Sequence, residues 1–345
     1  MVIAVALGLV TAPLLLFGEQ VLVLLGQDPE LAAIGQPFLF WSSFGLPFMF
    51  LSVVLRQFLI SHQRPMPQVI ALIIALAANV ALNKASVSGI GPFPAMGLAG
   101  IALATTIVYA LLCAGLIAYI AMIQPFRDSR PFQRLWVMDW AVTARLLRIG
   151  VPIGLTIVTE AGMFIAVTFL IGLFGTAALA AAAIANQIAA VTFMIPIAIG
   201  QANTVRVGNF AGAADRANLS RSAGATFWIG IGATSATMVI LLIWPEFLIG
   251  LFLTGEDAMF GEVMALALPM MVLTALFQIL DGVQAIAMSV LRGVNDTRVP
   301  AIVAITSFWV SGVAVGALAG FSLGFGPTGV WGGLLLGLSV ASLIL

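Results

Sequence analysis

Charge is what this chain has least of. Asp, Glu, Lys and Arg make up 8% of its 345 residues, roughly a third of the share in an average soluble domain. That leaves too little polar surface to wet a soluble globule, and a disordered chain would need still more. Thirteen basic residues balance thirteen acidic ones with no basic cluster, which argues against a nucleic-acid binder. The one cysteine, Cys113, excludes a disulfide framework, and with the one histidine, His62, it excludes a zinc-finger cluster or a His-rich metal centre.

Apolar residues fill the space. They make up 62% of the chain, and the mean hydropathy is +1.18. The length suits about ten spans of roughly 20 residues each. Apolar runs predict them at 1–25, 35–60, 67–88, 97–123, 148–174, 177–205, 221–248, 261–289, 299–322 and 327–345. These runs are too long for core helices and lack the alternation of an outer-membrane barrel, so an all-α polytopic membrane protein is predicted. Pro47, Pro152, Pro196 and Pro269 fall inside spans and are expected to kink them. The first charge is Glu19, so the N-terminus does not read as a cleaved signal.

The charges orient the bundle. Arg56, Arg64, Arg127, Arg130, Arg134, Arg145, Arg148, Arg206, Arg216, Arg221, Arg292 and Arg298 all fall in or beside even-numbered loops, leaving Lys84 on the other side. Loops one and seven carry Asp28, Glu30, Glu256, Asp257 and Glu262. The positive-inside rule makes the even loops cytoplasmic and places both ends of this chain in the cytoplasm. The one long polar stretch, 124–147, reads as a linker between an N-lobe of four spans (1–123) and a C-lobe of six (148–345).

The two halves repeat. LLGQDPELAAIG (24–35) resembles FLTGEDAMFGEV (252–263), SVVLRQFLISHQRPMPQVIALI (52–73) resembles MSVLRGVNDTRVPAIVAIT (288–306), and MGLAGIALAT (96–105) resembles FGPTGVWGGL (325–334). The order is kept and corresponding spans run the same way, a parallel repeat of the kind that places a substrate cavity between its halves in transporters. GxxG at Gly97/Gly100 and Gly326/Gly329 suits close helix packing.

Two acidic residues lie deep within spans, Glu160 and Asp281. Each is about eleven or twelve residues from the nearest arginine, near the bilayer midplane at 1.5 Å per residue. A carboxylate there costs roughly 2.5 kcal/mol or more, which points to function. Either could carry a proton or supply oxygen ligands to Na⁺; the competing reading is a hydrogen bond that holds two helices together. Thr156 stands four residues before Glu160, with Thr159 beside it. Gln278, Asp281 and Gln284 form a polar strip, and Asn79 and Asn83 stand one turn apart. Thr105, Asn186 and Gln187 complete the intramembrane polar set. His62 reads as a solvated loop residue and Cys113 as packing, while some Met and Phe side chains could line an adaptable cavity.

These stretches resemble the multidrug and toxic compound extrusion (MATE) transporters, NorM-type branch. The likeness rests on VLRQFLISHQRPMPQVI (54–70), NVALN (79–83), GLAGIALATTIVYA (97–110), GVPIGLTIVTEAGMF (150–164), ANQIAAVTFMIPIAIGQANTVRVGNFAG (185–212) and DGVQAIAMSVLRGVNDT (281–297). The resemblance implies ten helices of a twelve-helix, two-lobe fold with a parallel pseudo-two-fold, beginning at the third family helix and ending inside the twelfth. The internal repeat gives spans 5 and 6 no counterpart before the first span, so about 70 further residues with two spans are expected to be encoded upstream of Met1, and the chain as given is expected to be inactive without them. Glu160 matches the family's seventh-helix glutamate and Asp281 its tenth-helix aspartate, both implicated in cation coupling. Asn79, Asn83 and Thr105 match polar positions of the first lobe's cation site, whose key acid lies in the first family helix. Asn186 replaces a frequent histidine, and Lys84 stands where an aromatic is common.

The expected function is secondary active export of cationic or amphipathic organic compounds in exchange for Na⁺ or H⁺. Gln278, Gln284, Asn186, Gln187 and Thr156 are expected in the substrate cavity. No cofactor is expected, no metal beyond Na⁺ at Glu160/Asp281, and no partners beyond small molecules and membrane lipids. A monomer in a bacterial inner membrane is expected. Two alternatives remain within the architecture: export of a lipid-linked sugar precursor, which would ask for intramembrane arginines, and a non-functional truncated remnant. An intramembrane enzyme would need a catalytic His, an Asp/Glu pair in one motif or a metal cluster, and the sequence carries none.

Overall fold

The computed structural model describes residues 1–24, 26, 28–90, 94–124, 126, 132–133, 139–253 and 259–345. Arg127, Asp128, Arg130 and Arg134 of the expected linker, and Glu256 and Asp257 of the seventh loop, lie outside the described residues. The rest is helical. Nine helices are long and apolar enough to cross a membrane among the described residues, or ten if one bent pair counts as a single span. The chain divides into two compact units, Met1–Asp139 and Trp140–Leu345.

In the first unit, the sequence predicts one span over 1–25, and the structure breaks it. Helix α1 (Val2–Leu16) meets α2 (Gly18–Leu24) at 68°. Pro13 sits inside α1, and the bend frees backbone groups that lipid cannot solvate. One side chain from α3 (Pro29–Ser61) satisfies both edges of the break: Gln36 Nε2 donates to Leu16 O at 2.7 Å, and Glu19 N–H donates to Gln36 Oε1 at 2.7 Å. Helix α3 is opened by Asp28, which accepts from Glu30 N–H, and runs through Pro37 and Pro47 without ending. It packs on α5 (Leu98–Met122), which also packs on α4 (Met66–Ser88). Their apolar core gathers Leu55, Leu59, Leu112, Leu116 and Ile120 around the buried Cys113, whose Sγ donates to Phe48 O. His62 is exposed and packs its ring on Phe58 and Phe126, consistent with a solvated loop residue.

In the second unit, α6 (Trp140–Gly172) begins eight residues before the predicted span, so 140–147 forms its first two turns and is not linker. Then come α7 (Thr176–Gly212), α8 (Arg216–Ile243, capped by Asp215), the short α9 (Pro245–Gly250) and α10 (Phe260–Gly293). The span Arg298–Ser322 starts as α11 (Arg298–Thr306) and widens to π-helix over Ser307–Ala314. It narrows for one turn as α12 (Val315–Ala317), then widens again over Leu318–Ser322. Helix α13 (Gly326–Ile344) lies against it. A Cβ at Gly316 would come within 2.8 Å of Val330 O, and one at Gly337 within 3.0 Å of Gly312 Cα, so the two backbones touch through their glycines. Helix α10 is central: α7, α8 and α13 all pack on it, and Trp331 of α13 donates from Nε1 to Thr274 of α10 at 3.1 Å.

The repeated blocks end on the same backbone shapes. Gln63 and Asn295, 232 positions apart, both take the left-handed conformation (φ 57° and 63°). Each closes its helix with the same pair of bonds, Arg64 N to Leu59 O and Gln63 N to Ile60 O in one, Asp296 N to Leu291 O and Asn295 N to Arg292 O in the other. The two GxxG motifs also correspond, although only half of each packs as expected. Gly97 and Gly326 open their helices at positive φ with nothing close by, whereas Gly100 meets Ser86 O and Gly329 meets Ala319 O at 2.7 and 3.0 Å from an added Cβ.

Replacing Gln36 with Leu should leave Leu16 O and Glu19 N–H without partners, at a cost of about 1–3 kcal/mol. A lowered unfolding midpoint in detergent is expected. An unchanged midpoint would mean that the bend does not depend on this side chain.

Candidate functional site

A cavity of about 610 Å³ opens within the second unit, walled by α6, α7 and α10. Its polar groups follow from helical register. On α10, Asp281, Gln284, Met288 and Arg292 recur at intervals of three and four residues and face it together, with Ser289 beside Met288. Three turns separate Asp281 from Arg292, so this polar row is about 16 Å long at 1.5 Å per residue. Helix α6 presents Glu160 one turn after Ile157, with Phe164 one turn beyond. Helix α7 adds Asn186, Phe193, Gln201 and Thr204. Two acids and one base thus share a mostly apolar chamber, and Glu160 lies close enough to both Asp281 and Arg292 for their charges to interact.

Two of the walls, α7 and α10, are tied to each other and to α8 by a buried hydrogen-bond network. Asn203 of α7 donates to Ser289 Oγ at 3.3 Å and accepts from Thr226 and Ser222 of α8 at 3.0 and 3.4 Å. Thr204 Oγ1 donates to Ser289 O at 3.0 Å. Behind Asp281, Gly282 lets α8 approach until an added Cβ would stand 3.3 Å from Thr234 Oγ1. That approach helps leave Asp281 only 3% exposed.

The structure places Glu160, Asp281, Asn186 and Gln284 among the residues lining this cavity. Three others fall outside its lining. Gln187 is exposed, because one step along a helix turns a side chain about 100° away from Asn186. Thr156 is buried and donates to Pro152 O at 2.9 Å within its own helix, satisfying itself locally. Gln278 is fully buried one turn deeper than Asp281. Arg292, read from the sequence as a loop flank, lines the cavity from the last turn of α10. The register 281, 285, 289, 292 would have found both Arg292 and Ser289. Nothing local in the sequence marks Asn203 or Thr204 as partners of Ser289 from α7.

In the first unit, Asn79, Asn83 and Thr105 do meet. Asn79 Nδ2 donates to Thr105 Oγ1 at 3.4 Å, and Asn83 Nδ2 donates to Asn79 Oδ1 at 2.9 Å. Asn83 Oδ1 is buried without a partner.

This is a multi-pass α-helical membrane protein with a transporter fold. It superimposes on the eukaryotic MATE transporter AtDTX14 with a TM-score of 0.84 at 20% identity, over 99% of this chain and 74% of that one. It also superimposes on a MATE transporter in an outward-facing conformation with a TM-score of 0.86 at 15% identity, over 99% and 75% of the two chains. The MatE family model matches residues 1–85 and 152–318, and the chain belongs to that family of transporters, not to a family of enzymes. Among its relatives are "Probable multidrug resistance protein NorM" of Mesorhizobium japonicum, 38% identical over 95% of this chain and 70% of that protein, and its namesake of Pseudomonas aeruginosa, 35% identical over 99% and 70%.

The linked amides of the first unit should show in a double-mutant cycle. Replacing Asn79 and Asn83 with Ala, singly and together, is expected to give a coupling of about 0.6 kcal/mol or more in unfolding from detergent. Strict additivity would mean that the 2.9 Å contact contributes nothing.

Proposed function

We propose that the protein exports cationic or amphipathic small molecules in exchange for inward Na⁺ or H⁺, with Glu160 and Asp281 taking up the coupling cation. The observation that carries this reading is that two carboxylates from different helices share one largely apolar cavity. With Arg292 as the third charged group there, the ionised site holds one net negative charge. A coupling cation can neutralise it, and so can a monocationic substrate; both together would overcompensate in a medium where unbalanced charge is costly. Mutual exclusion of this kind is what exchange requires. The apolar wall, with Phe164, Phe193 and Met288, suits amphipathic guests of varied shape. Asn186 and Gln284 would orient them, and Asn79, Asn83 and Thr105 would serve a second polar site in the first unit.

The relatives' multidrug-resistance name agrees with this substrate class. A carrier of lipid-linked phosphates is less favoured, because Arg292 is the only basic residue among those lining the cavity and two carboxylates oppose it. The positive-inside rule puts the arginine-rich helix ends in the cytoplasm of a bacterial inner membrane.

The test is efflux from liposomes containing the protein, under imposed Na⁺ and pH gradients applied separately. Glu160→Gln and Asp281→Asn should each lower gradient-driven export of a cationic dye by about tenfold or more, the equivalent of about 1.4 kcal/mol, while the protein stays folded. Wild-type rates in both variants would overturn the assignment.

A further inference from the structure

A second, smaller cavity of about 320 Å³ lies beyond the end of α10. Its lining comes from Arg148 and Ile149 of α6, from the turn 294–297, and from Arg298, the first residue of α11. None of these residues lines the central cavity, and export makes no use of them.

The charge of the lining selects the guest. Arg148 and Arg298 reach the cavity from two different helices, and α11 packs on α6. Asp296 is the one acid there, and its Oδ1 accepts from Val299 N–H at 3.4 Å. Two guanidinium groups against one carboxylate leave one net positive charge, which an anion carrying a single negative charge would balance. The neutral lining adds donors: the Asn295 amide, the Thr297 hydroxyl and the start of α11, where a helix leaves its first N–H groups without acceptors of its own. Forked arginines with hydroxyl and helix-start donors suit the oxygens of a phosphate.

Depth decides which phosphate. Arg148 and Glu160 are twelve residues apart on α6, about 18 Å at 1.5 Å per residue. With Glu160 near the midplane, Arg148 lies outside the roughly 15 Å half-thickness of hydrocarbon and within the headgroup layer. The positive-inside rule makes that layer the cytoplasmic one. Basic pockets between membrane helices at this level take anionic lipid headgroups. Ile149 and Val294 give the cavity an apolar edge on which the glycerol and first acyl carbons can rest. We propose that this cavity binds the phosphodiester headgroup of an anionic phospholipid from the cytoplasmic leaflet, gripped by Arg148 and Arg298. No part of this rests on the exchange reading.

The test uses purified protein in a neutral detergent with small additions of phosphatidylglycerol, which carries one negative charge. Binding is read by native mass spectrometry and by the unfolding midpoint. Saturable binding with a raised midpoint is expected. Phosphatidylcholine, whose choline cancels the charge, should not match it, nor should glycerol 3-phosphate, which lacks acyl chains. Arg148→Gln and Arg298→Gln should each weaken phosphatidylglycerol affinity about tenfold, the scale of a lost charge-assisted hydrogen bond. Arg145→Gln, three residues earlier on α6 and outside the lining, should change it less than about twofold in about 0.15 M salt, which screens distant charges. Asp296→Asn removes the opposing charge and should tighten binding, a gain that a damaged fold cannot produce. No saturable binding by the wild type, or wild-type affinity in both arginine variants, would overturn the proposal. So would an equal loss in Arg145→Gln, which would mean diffuse surface charge, or an equal midpoint rise with glycerol 3-phosphate, which would mean a soluble-phosphate site. If one arginine variant does not fold, the other decides together with Asp296→Asn.

Discussion

A polar group inside a membrane has no water to fall back on, and most of this architecture follows from that constraint. Where α1 breaks from α2, a single glutamine closes the break. Where α7, α8 and α10 converge, one asparagine collects two hydroxyl donors and spends its own amide on a third hydroxyl. Trp331 gives its indole proton to Thr274. Against that background of satisfied groups, Gln278, Asp281 and Gln284 of α10 stand out for buried side-chain atoms without partners.

The same constraint fixes where charge can be. Asp281 and Arg292 sit on α10, which is tied to α7 by buried hydrogen bonds and by glycine contacts such as Gly293 against Thr204 O, and Glu160 faces them from α6. The three charges share one mostly apolar chamber. Each is left open to a mobile ion or a guest, and preorganised, imperfectly compensated charge is what makes binding depend on the sign of the guest.

Much of this was legible in the sequence because apolar runs and isolated intramembrane acids are strong signals. Nine of the span positions follow from hydropathy alone, with ends off by up to eight residues. Glu160 and Asp281 announce themselves by being costly where they stand. The break at Phe17 was hidden because α1 and α2 are both apolar and differ only in direction, and its remedy, Gln36, lies in the next span. Arg292 does stand beside its loop, in the last turn of α10, but its place in the cavity is missed when distance from a loop is weighed ahead of helical face. Gln187 was overvalued for the same reason: adjacency to Asn186 in sequence puts it on another side of the helix. Contacts that cross between helices, such as Asn203 with Ser289, leave no mark in a single sequence.

The two π-helical stretches of the span from Arg298 to Ser322 have a consequence of their own. A π turn takes up more residues than an α turn over the same rise, so the span holds length in reserve. Tightening such a turn to α geometry would rotate everything beyond it about the helix axis, and the extra residue would have to be absorbed at one end. Gly312, Gly316 and Gly320 hold this span so close to α13 that a Cβ at Gly316 or Gly320 would collide with Val330, so that rotation would drive neighbouring side chains into α13 unless the two helices first part. The slack of the two π-helical stretches is thus held in place by the closest helix contact in the second unit's glycine seam, and using it would cost that contact.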